Sequence, residues 1–141
     1  MKNILCVGIG SYYFLTDEIR FIYPDNFYID TTNNILTLLT KLRTSDVFCL
    51  LFDDICLSRE QIFSCEETND NKTTVIALIK TLSKNGKFDP KKIVVKIGYT
   101  GEYFEKYKKE LISYGVLAEN IFEKPANNKK VAEVVVKILN N

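Results

Sequence analysis

The chain contains no histidine, and this absence removes several common kinds of site. Serine and cysteine nucleophiles that depend on a histidine base are excluded. The four cysteines include no C-x-x-C pair, so a zinc site would have to be assembled from scattered thiols and carboxylates. The sequence therefore predicts no metal centre of this kind and no complete catalytic constellation, which argues against an enzyme.

Long apolar runs and an excess of one charge are missing too. No apolar run reaches the roughly 18 residues that span a bilayer, and the first one breaks at Gly8 without a signal-peptide cleavage site. The net charge of +1 offers no electrostatic attraction for nucleic acid or an anionic membrane. Cys6 and Cys49 lie in apolar runs, as expected of reduced thiols in a cytoplasmic protein.

What is present is an alternation between strand-like runs and helical spacing over 141 residues, the length of one domain. Apolar runs predict strands at residues 3–9, 27–29, 47–52, 93–97 and 121–122. Between and after them, apolar stripes predict five helices: Leu15, Ile19, Ile22; Ile35, Leu38, Leu39, Leu42; Val75, Leu78, Ile79, Leu82; Phe104, Tyr107, Leu111, Ile112; and Val131, Val134, Val135, Ile138, Leu139. Five strand–helix units in succession predict a three-layer α/β/α fold in which one parallel sheet is covered on both faces.

Polar residues stand where three of the predicted strands end. Asp53 and Asp54 follow the third strand, Thr100 follows the fourth and Lys124 follows the fifth. In such sheets the carboxyl ends of the strands form the site. A carboxylate nucleophile, a hydroxyl and an ammonium together suit transient handling of a phosphoryl group. The alternative is a purely structural role, in which the two aspartates only end a strand and begin a turn.

Taken in order, these features resemble the response-regulator receiver (CheY-like) family. The matching elements are the apolar third strand ending in Asp, Thr100-Gly101 after the fourth strand, Tyr114-Gly115 closing the fourth helix, and the run Ile121 to Pro125 before an amphipathic last helix. The resemblance covers nearly the whole chain and implies a flavodoxin-like sheet of order 2-1-3-4-5. It also implies a cis peptide bond between Lys124 and Pro125.

The resemblance implies a role for each strand-end residue. Asp53 or Asp54 would be the phosphoacceptor; because strand side chains alternate, we expect only one to face the pocket, with Asp53 slightly favoured. Thr100 and Lys124 would be the switch hydroxyl and the switch lysine. Phe122 lies near the family's aromatic switch position, for which Ile121 competes.

Two departures from the receiver pattern stand out. Receivers carry paired acids after the first strand to hold Mg²⁺, and residues 8–11 contain none. Asp54, Asp17 or Glu18 would be only partial substitutes, so Mg²⁺ is expected only if the aspartate site functions. Residues 56–71 form a second departure, a longer segment than receivers have, with one helical turn expected near residues 60–63. A segment of this length above a site is often functional.

A different reading treats the first strand–helix turn as a nucleotide site. Gly8 and Gly10 follow the first strand, and Asp30 ends the second strand 20 residues after Gly10, as in a dinucleotide-binding fingerprint. Tyr13 stands where the third glycine belongs. Its bulk would obstruct close packing of the helix on the strand, which weakens this alternative.

The fourth predicted helix is rich in tyrosine, a residue enriched at protein interfaces. By the receiver analogy, Tyr103, Tyr107 and Tyr114 would lie on the output and dimerisation surface. We therefore expect a stand-alone receiver-like module, residues 1–141, that binds a protein partner. The partner would be a histidine kinase, a downstream regulator or a second copy of the chain. A working phospho-receiver is the first alternative.

Overall fold

The computed structural model describes residues 1–8 and 12–141. Its strands are β1 (Lys2–Val7), β2 (Phe27–Thr32), β3 (Val47–Phe52), β4 (Ile93–Ile97) and β5 (Ile121–Glu123). Its helices are α1 (Tyr13–Ile22), α2 (Ile35–Thr44), α3 (Thr74–Lys84), α4 (Gly101–Ser113) and α5 (Asn128–Leu139). Single 3₁₀ turns precede β4 and β5, at Pro90–Lys92 and Ala118–Asn120.

The strands form one parallel sheet in the order β2-β1-β3-β4-β5. This confirms the predicted fold class and strand order. Apolar side chains cover both faces. The front cluster joins the sheet to α2, α3 and α4, and the back cluster joins it to α1 and α5. The front cluster includes Leu5, Val7, Ile35, Leu38, Leu50, Phe52, Val75, Leu78, Ile79, Phe104, Tyr107 and Leu111; the back cluster includes Ile4, Cys6, Leu15, Ile19, Cys49, Leu51, Val94, Val131, Val135 and Leu139.

Two residues of the predicted helical stripes are not in the core. Ile22 and Ile112 are 40% and 42% exposed, so these two assignments are wrong. Tyr23, the residue after α1, is buried instead, and its ring meets Phe27 edge-on at 6.1 Å between centroids. On α4, Leu111 of the same predicted stripe is buried, whereas Ile112, one residue later, is not. A stripe read from spacing alone cannot locate the edge of a helix face to within one residue.

Residues 56–71 contain no helix or strand. The expected helical turn is wrong, because Glu60 and Gln61 have φ values of 49° and 66°, the left-handed region. Hydrogen bonds within the segment hold it instead: the buried Thr68 hydroxyl donates to the Ser64 carbonyl (3.0 Å), and the Leu57 amide donates to the Asn71 carbonyl (3.3 Å), which joins the two ends of the segment.

None of the helices in residues 1–8 and 12–141 is both long enough and apolar enough to cross a membrane.

Candidate functional site at the carboxyl ends of the strands

Asp53 and Asp54 are the first residues after β3, whose last four side chains are fully buried. The Asp53 amide donates to the Val7 carbonyl at 2.9 Å, which extends the pairing of β1 and β3 by one residue. Gly8, the residue after β1, has a φ of 121°, and a Cβ built there would lie 3.0 Å from the Cβ of Asp53. Glycine therefore supplies both the backbone conformation and the space that bring Asp53 against the first strand.

Lys124 contacts both aspartates. Its Nζ lies 3.6 Å from Asp53 Oδ2 and 3.6 Å from Asp54 Oδ2, and its amide donates to the Ile97 carbonyl at 2.9 Å. The peptide bond between Lys124 and Pro125 is cis, as expected. The expectation that only one aspartate faces the pocket is wrong. Both residues lie beyond the end of β3, where the sheet no longer separates their side chains, and one ammonium reaches both carboxylates.

Lys96 is a member of the site that the sequence analysis missed. Its Nζ lies 3.5 Å from Asp53 Oδ1, and the two side chains are only 12% and 13% exposed. It is the one charged residue of β4, and its neighbours Val95 and Ile97 are buried. A lone lysine inside an apolar central strand was the available signal, because a buried ammonium requires a partner.

Asp54 is fixed by backbone donors as well as by Lys124. Its Oδ1 accepts from the amides of Ile55 (2.7 Å) and Gly98 (3.2 Å). A Cβ built at Gly98 would lie 2.7 Å from Asp54 Oδ2, so the glycine leaves the room that this carboxylate occupies. Asp54 thereby connects the end of β3 to the end of β4.

The two aspartates and Lys124 line a cavity of about 370 Å³. Its other lining residues are Val7, Gly8, Asn33, Cys56, Leu57, Ser58 and Val75. The long segment therefore reaches the site through residues 56–58. Thr100 is exposed and is not among the described residues that line the cavity. The predicted convergence of carboxylate and ammonium is present, whereas the hydroxyl stands apart.

Cys56, which lines the cavity, and Tyr99, which lies beside Cys56, are two protonated groups next to the aspartates. Cys56 Sγ lies 3.8 Å from the Tyr99 hydroxyl oxygen. Burial raises the pKa of the Cys56 thiol, and burial together with the hydrogen bond to Cys56 raises the pKa of Tyr99 to about 12. At neutral pH neither group is an anion, so the negative charge of the cavity wall comes from the aspartates.

The remaining predicted positions divide between surface and core. Phe122 is half-buried against the back cluster, while Ile121 is buried in the front cluster. Tyr103 is 61% exposed and Tyr114 is half-buried. Tyr107 is only 5% exposed, so its assignment to a partner surface is wrong.

Tyr107 packs in the front cluster because it faces the sheet on the same side of α4 as Leu111. Tyr99 extends this contact outward. Its ring lies 5.3 Å from that of Tyr107 and 6.2 Å from that of Tyr103, measured between centroids. The exposed aromatic surface is thus formed by Tyr103 with Tyr99 beside it.

The structure does not support Asp30 as the acidic residue of a nucleotide site. Asp30 does not end β2 but lies inside it, paired with Leu5 of β1, and its carboxylate forms an ion pair with Lys41. Asp30 was misplaced because the polar Thr31 and Thr32, which continue the strand, looked like its end. Gly10 and the side chain of Tyr13 lie outside the described residues.

The residues present do not fit a Mg²⁺ ion. Within the described part of the chain, no group of three histidine, cysteine, aspartate or glutamate side chains could hold a metal. Gly8 lies against Asp53 without a carboxylate, and Asp17 is exposed on α1. The ammonium groups of Lys96 and Lys124 face the two oxygens of Asp53, and their charge opposes a divalent cation there.

The fold is similar to that of solved response-regulator receiver domains. A response regulator receiver protein from Pseudoalteromonas atlantica superposes with a TM-score of 0.67 at 16% identity, covering 98% of this chain and 97% of that one. A CheY-like receiver domain protein from Methanospirillum hungatei JF-1 gives 0.65 at 16% identity, covering 99% and 94%. Chemotaxis response regulator CheY4 of Vibrio cholerae gives 0.65 at 12% identity, covering 98% of each chain.

No family model and no curated protein matches the sequence. The chain has the receiver fold, and at these identities the likeness concerns the fold alone.

Proposed function

We propose that this chain is a receiver-like signalling module, one domain of residues 1–141, that acts by binding a protein partner and does not depend on phosphorylation. The observation that carries the proposal is the state of Asp53: each carboxylate oxygen already faces an ammonium, at 3.5 Å from Lys96 and 3.6 Å from Lys124. The receiver fold gives the context of two-component signalling.

Phosphorylation of an aspartate requires a free carboxylate oxygen and a cation that neutralises the transferring group. Two ammoniums stabilise the Asp53 anion and so lower its nucleophilicity. The segment after β1 supplies no carboxylate for a metal. These features favour a protein-binding module in which the phosphoacceptor site is incomplete.

The partner surface in this proposal is the exposed side of α4 around Tyr103, next to Tyr99. An exposed tyrosine offers a large apolar contact area and a hydrogen-bonding hydroxyl. The partner would be a histidine kinase or a downstream regulator, and a homodimer through this surface is the alternative. We expect the module to act in the cytoplasm, in keeping with its four free cysteines.

A working phospho-receiver is the second candidate, favoured by the meeting of Asp53, Asp54 and Lys124 at one cavity. Incubation with acetyl phosphate and Mg²⁺, followed by intact-protein mass spectrometry, distinguishes the two. We expect no change in mass. A gain of one phosphoryl group that is absent from the Asp53→Asn variant would contradict the proposal and support the second candidate.

Partner binding is tested by affinity capture from a native extract with the wild-type chain, the Tyr103→Ala variant and the Tyr28→Ala variant. Tyr28 is 53% exposed on β2 and serves as the matched control for loss of a surface tyrosine. We expect at least tenfold less of the captured partner with Tyr103→Ala and no loss with Tyr28→Ala. Equal loss with both variants would argue against the α4 surface.

A further inference from the structure

The ion pair between Lys96 and Asp53 differs from the other ion pairs in the described residues by its burial. Its side chains are 12% and 13% exposed, against 65% and 50% for Lys137 and Glu119. An exposed pair contributes little to stability, whereas a buried pair that loses one member leaves an uncompensated charge in the interior. Lys96 and Asp53 therefore depend on each other.

Lys96 reaches Asp53 from the back face of the sheet. Val94 packs in the back cluster, and the side chain two residues later on the same strand points the same way. Cys6 of β1 lies close enough to influence both charges, but burial raises the pKa of its thiol to about 12, so it is neutral. Asp53 is thus the anion that balances Lys96.

We infer that Lys96 is a built-in counter-ion, which holds Asp53 in place of a divalent cation and keeps the carboxyl ends of β3, β4 and β5 in one arrangement. The inference deepens the proposed function. It rests on that proposal at one point, the choice of Asp53 as the carboxylate at the phosphoacceptor position. It adds a regulatory property: the partner surface is presented constitutively, without metal or phosphate.

The contacts that carry this property form a continuous set. Lys96 lies on β4, Asp53 follows β3, and Lys124 follows β5, so two ammoniums and one carboxylate join three neighbouring strand ends. The Gly98 amide bond to Asp54 Oδ1 adds a second link between β3 and β4. Helix α4 begins only three residues after Gly98, so the position of Tyr103 depends on these links.

The first experiment is a double-mutant cycle with Lys96→Met and Asp53→Asn, read by thermal unfolding. Asp53→Asn leaves Lys96 without its partner and is expected to lower the melting temperature by about 10 °C, whereas Lys96→Met, after which Asp53 still faces Lys124, should lower it by less. The double variant removes both charges at nearly constant volume and should recover most of that loss. Lys137→Met with Glu119→Gln is the matched exposed pair, and there we expect shifts of about 1 °C with no coupling.

The second experiment measures the response of the melting temperature to millimolar Mg²⁺. The wild-type chain should show no upward shift, because Lys96 and Lys124 already face the two oxygens of Asp53. Hydrogen exchange at residues 97–103 should be faster in Lys96→Met than in wild type. Lys137→Met should behave as wild type in both measurements.

An additive cycle, a Mg²⁺ shift in the wild-type chain that Asp53→Asn abolishes, or unchanged hydrogen exchange at residues 97–103 in Lys96→Met would each overturn the inference. These failures differ from failure of the proposed function. If the melting-temperature changes of the two single variants add up and acetyl phosphate does not modify the chain, Lys96 is not a counter-ion of Asp53. The proposal of a partner-binding module then still stands. If the cycle shows strong coupling between Lys96 and Asp53 but acetyl phosphate phosphorylates the chain, the counter-ion inference stands and the proposed function fails.

Discussion

Three groups surround Asp53: the backbone of Gly8, the ammonium of Lys96, whose side chain is 12% exposed, and the ammonium of Lys124, whose side chain is 34% exposed. Gly8 lets the chain approach closely, Lys96 balances the charge from the back face, and Lys124 contacts the other oxygen. A carboxylate that is already neutralised in this way has little to gain from a metal ion. At the scale of single residues, the surroundings of Asp53 thus favour a fixed site over a reactive one.

Gly8→Ala should be among the most destabilising single-methyl changes in the chain. The φ of 121° is unfavourable for alanine, and the added Cβ would lie 3.0 Å from the Cβ of Asp53. We expect a loss of about 3 kcal/mol in the free energy of unfolding, measured by urea denaturation. Gly86→Ala is the control, since its φ is 64° but nothing lies within 4 Å, and it should lose about 1 kcal/mol.

A loss for Gly8→Ala no larger than that for Gly86→Ala would show that the contact with Asp53 is not tight.

Among the elements, α5 shows how local sequence and packing combine. Its apolar stripe, Val131, Val135 and Leu139, is buried in the back cluster against the sheet and α1. Its first turn begins at Asn127, whose side-chain oxygen accepts from the amides of Lys129 (2.9 Å) and Lys130 (3.2 Å). The helix therefore starts at a residue that satisfies two otherwise unpaired donors.

Asn127→Ala removes this cap and should lower the free energy of unfolding by about 1 kcal/mol. Chemical denaturation monitored by circular dichroism measures the change. Asn140→Ala, at the exposed opposite end of α5, serves as the control and should change the value by less than about 0.5 kcal/mol. Equal effects of the two substitutions would mean that the cap does not stabilise α5.

In the whole molecule, two apolar clusters share one set of strands. The front and back clusters lie on opposite faces, and neighbouring residues of β3 contribute alternately to them, as Leu50 and Leu51 show. Loss of either cluster would expose the strands on which the other is built. This sharing favours a single cooperative unit, as proposed for residues 1–141.

Leu15→Ala in the back cluster and Leu111→Ala in the front cluster should therefore shift the same unfolding transition. Each should cost about 3 kcal/mol, because each removes a fully buried side chain. Far-ultraviolet circular dichroism and tyrosine fluorescence should give coincident curves for wild type and both variants. Two separate transitions, each sensitive to only one substitution, would contradict a single cooperative domain.

The sequence by itself determined the layers and most of the elements, because hydrophobic periodicity is a local property that burial enforces. The bounds predicted for β3 and β4 and the stripe on α3 match the structure. The strand order and the cis bond before Pro125 came from the receiver resemblance rather than from the pattern, and the structure confirms both.

Only the tertiary structure decided that Lys96 meets Asp53. Lys96 and Asp53 are 43 residues apart, and nothing in the local pattern of either strand specifies that their side chains approach within 3.5 Å. Tyr107 shows the converse: its place in the apolar stripe of α4 agrees with the burial that the structure shows, whereas the receiver analogy had placed it on a partner surface. Periodicity reports which face of an element is apolar, whereas pairing across strands depends on register and on the space that Gly8 and Gly98 leave for the aspartates.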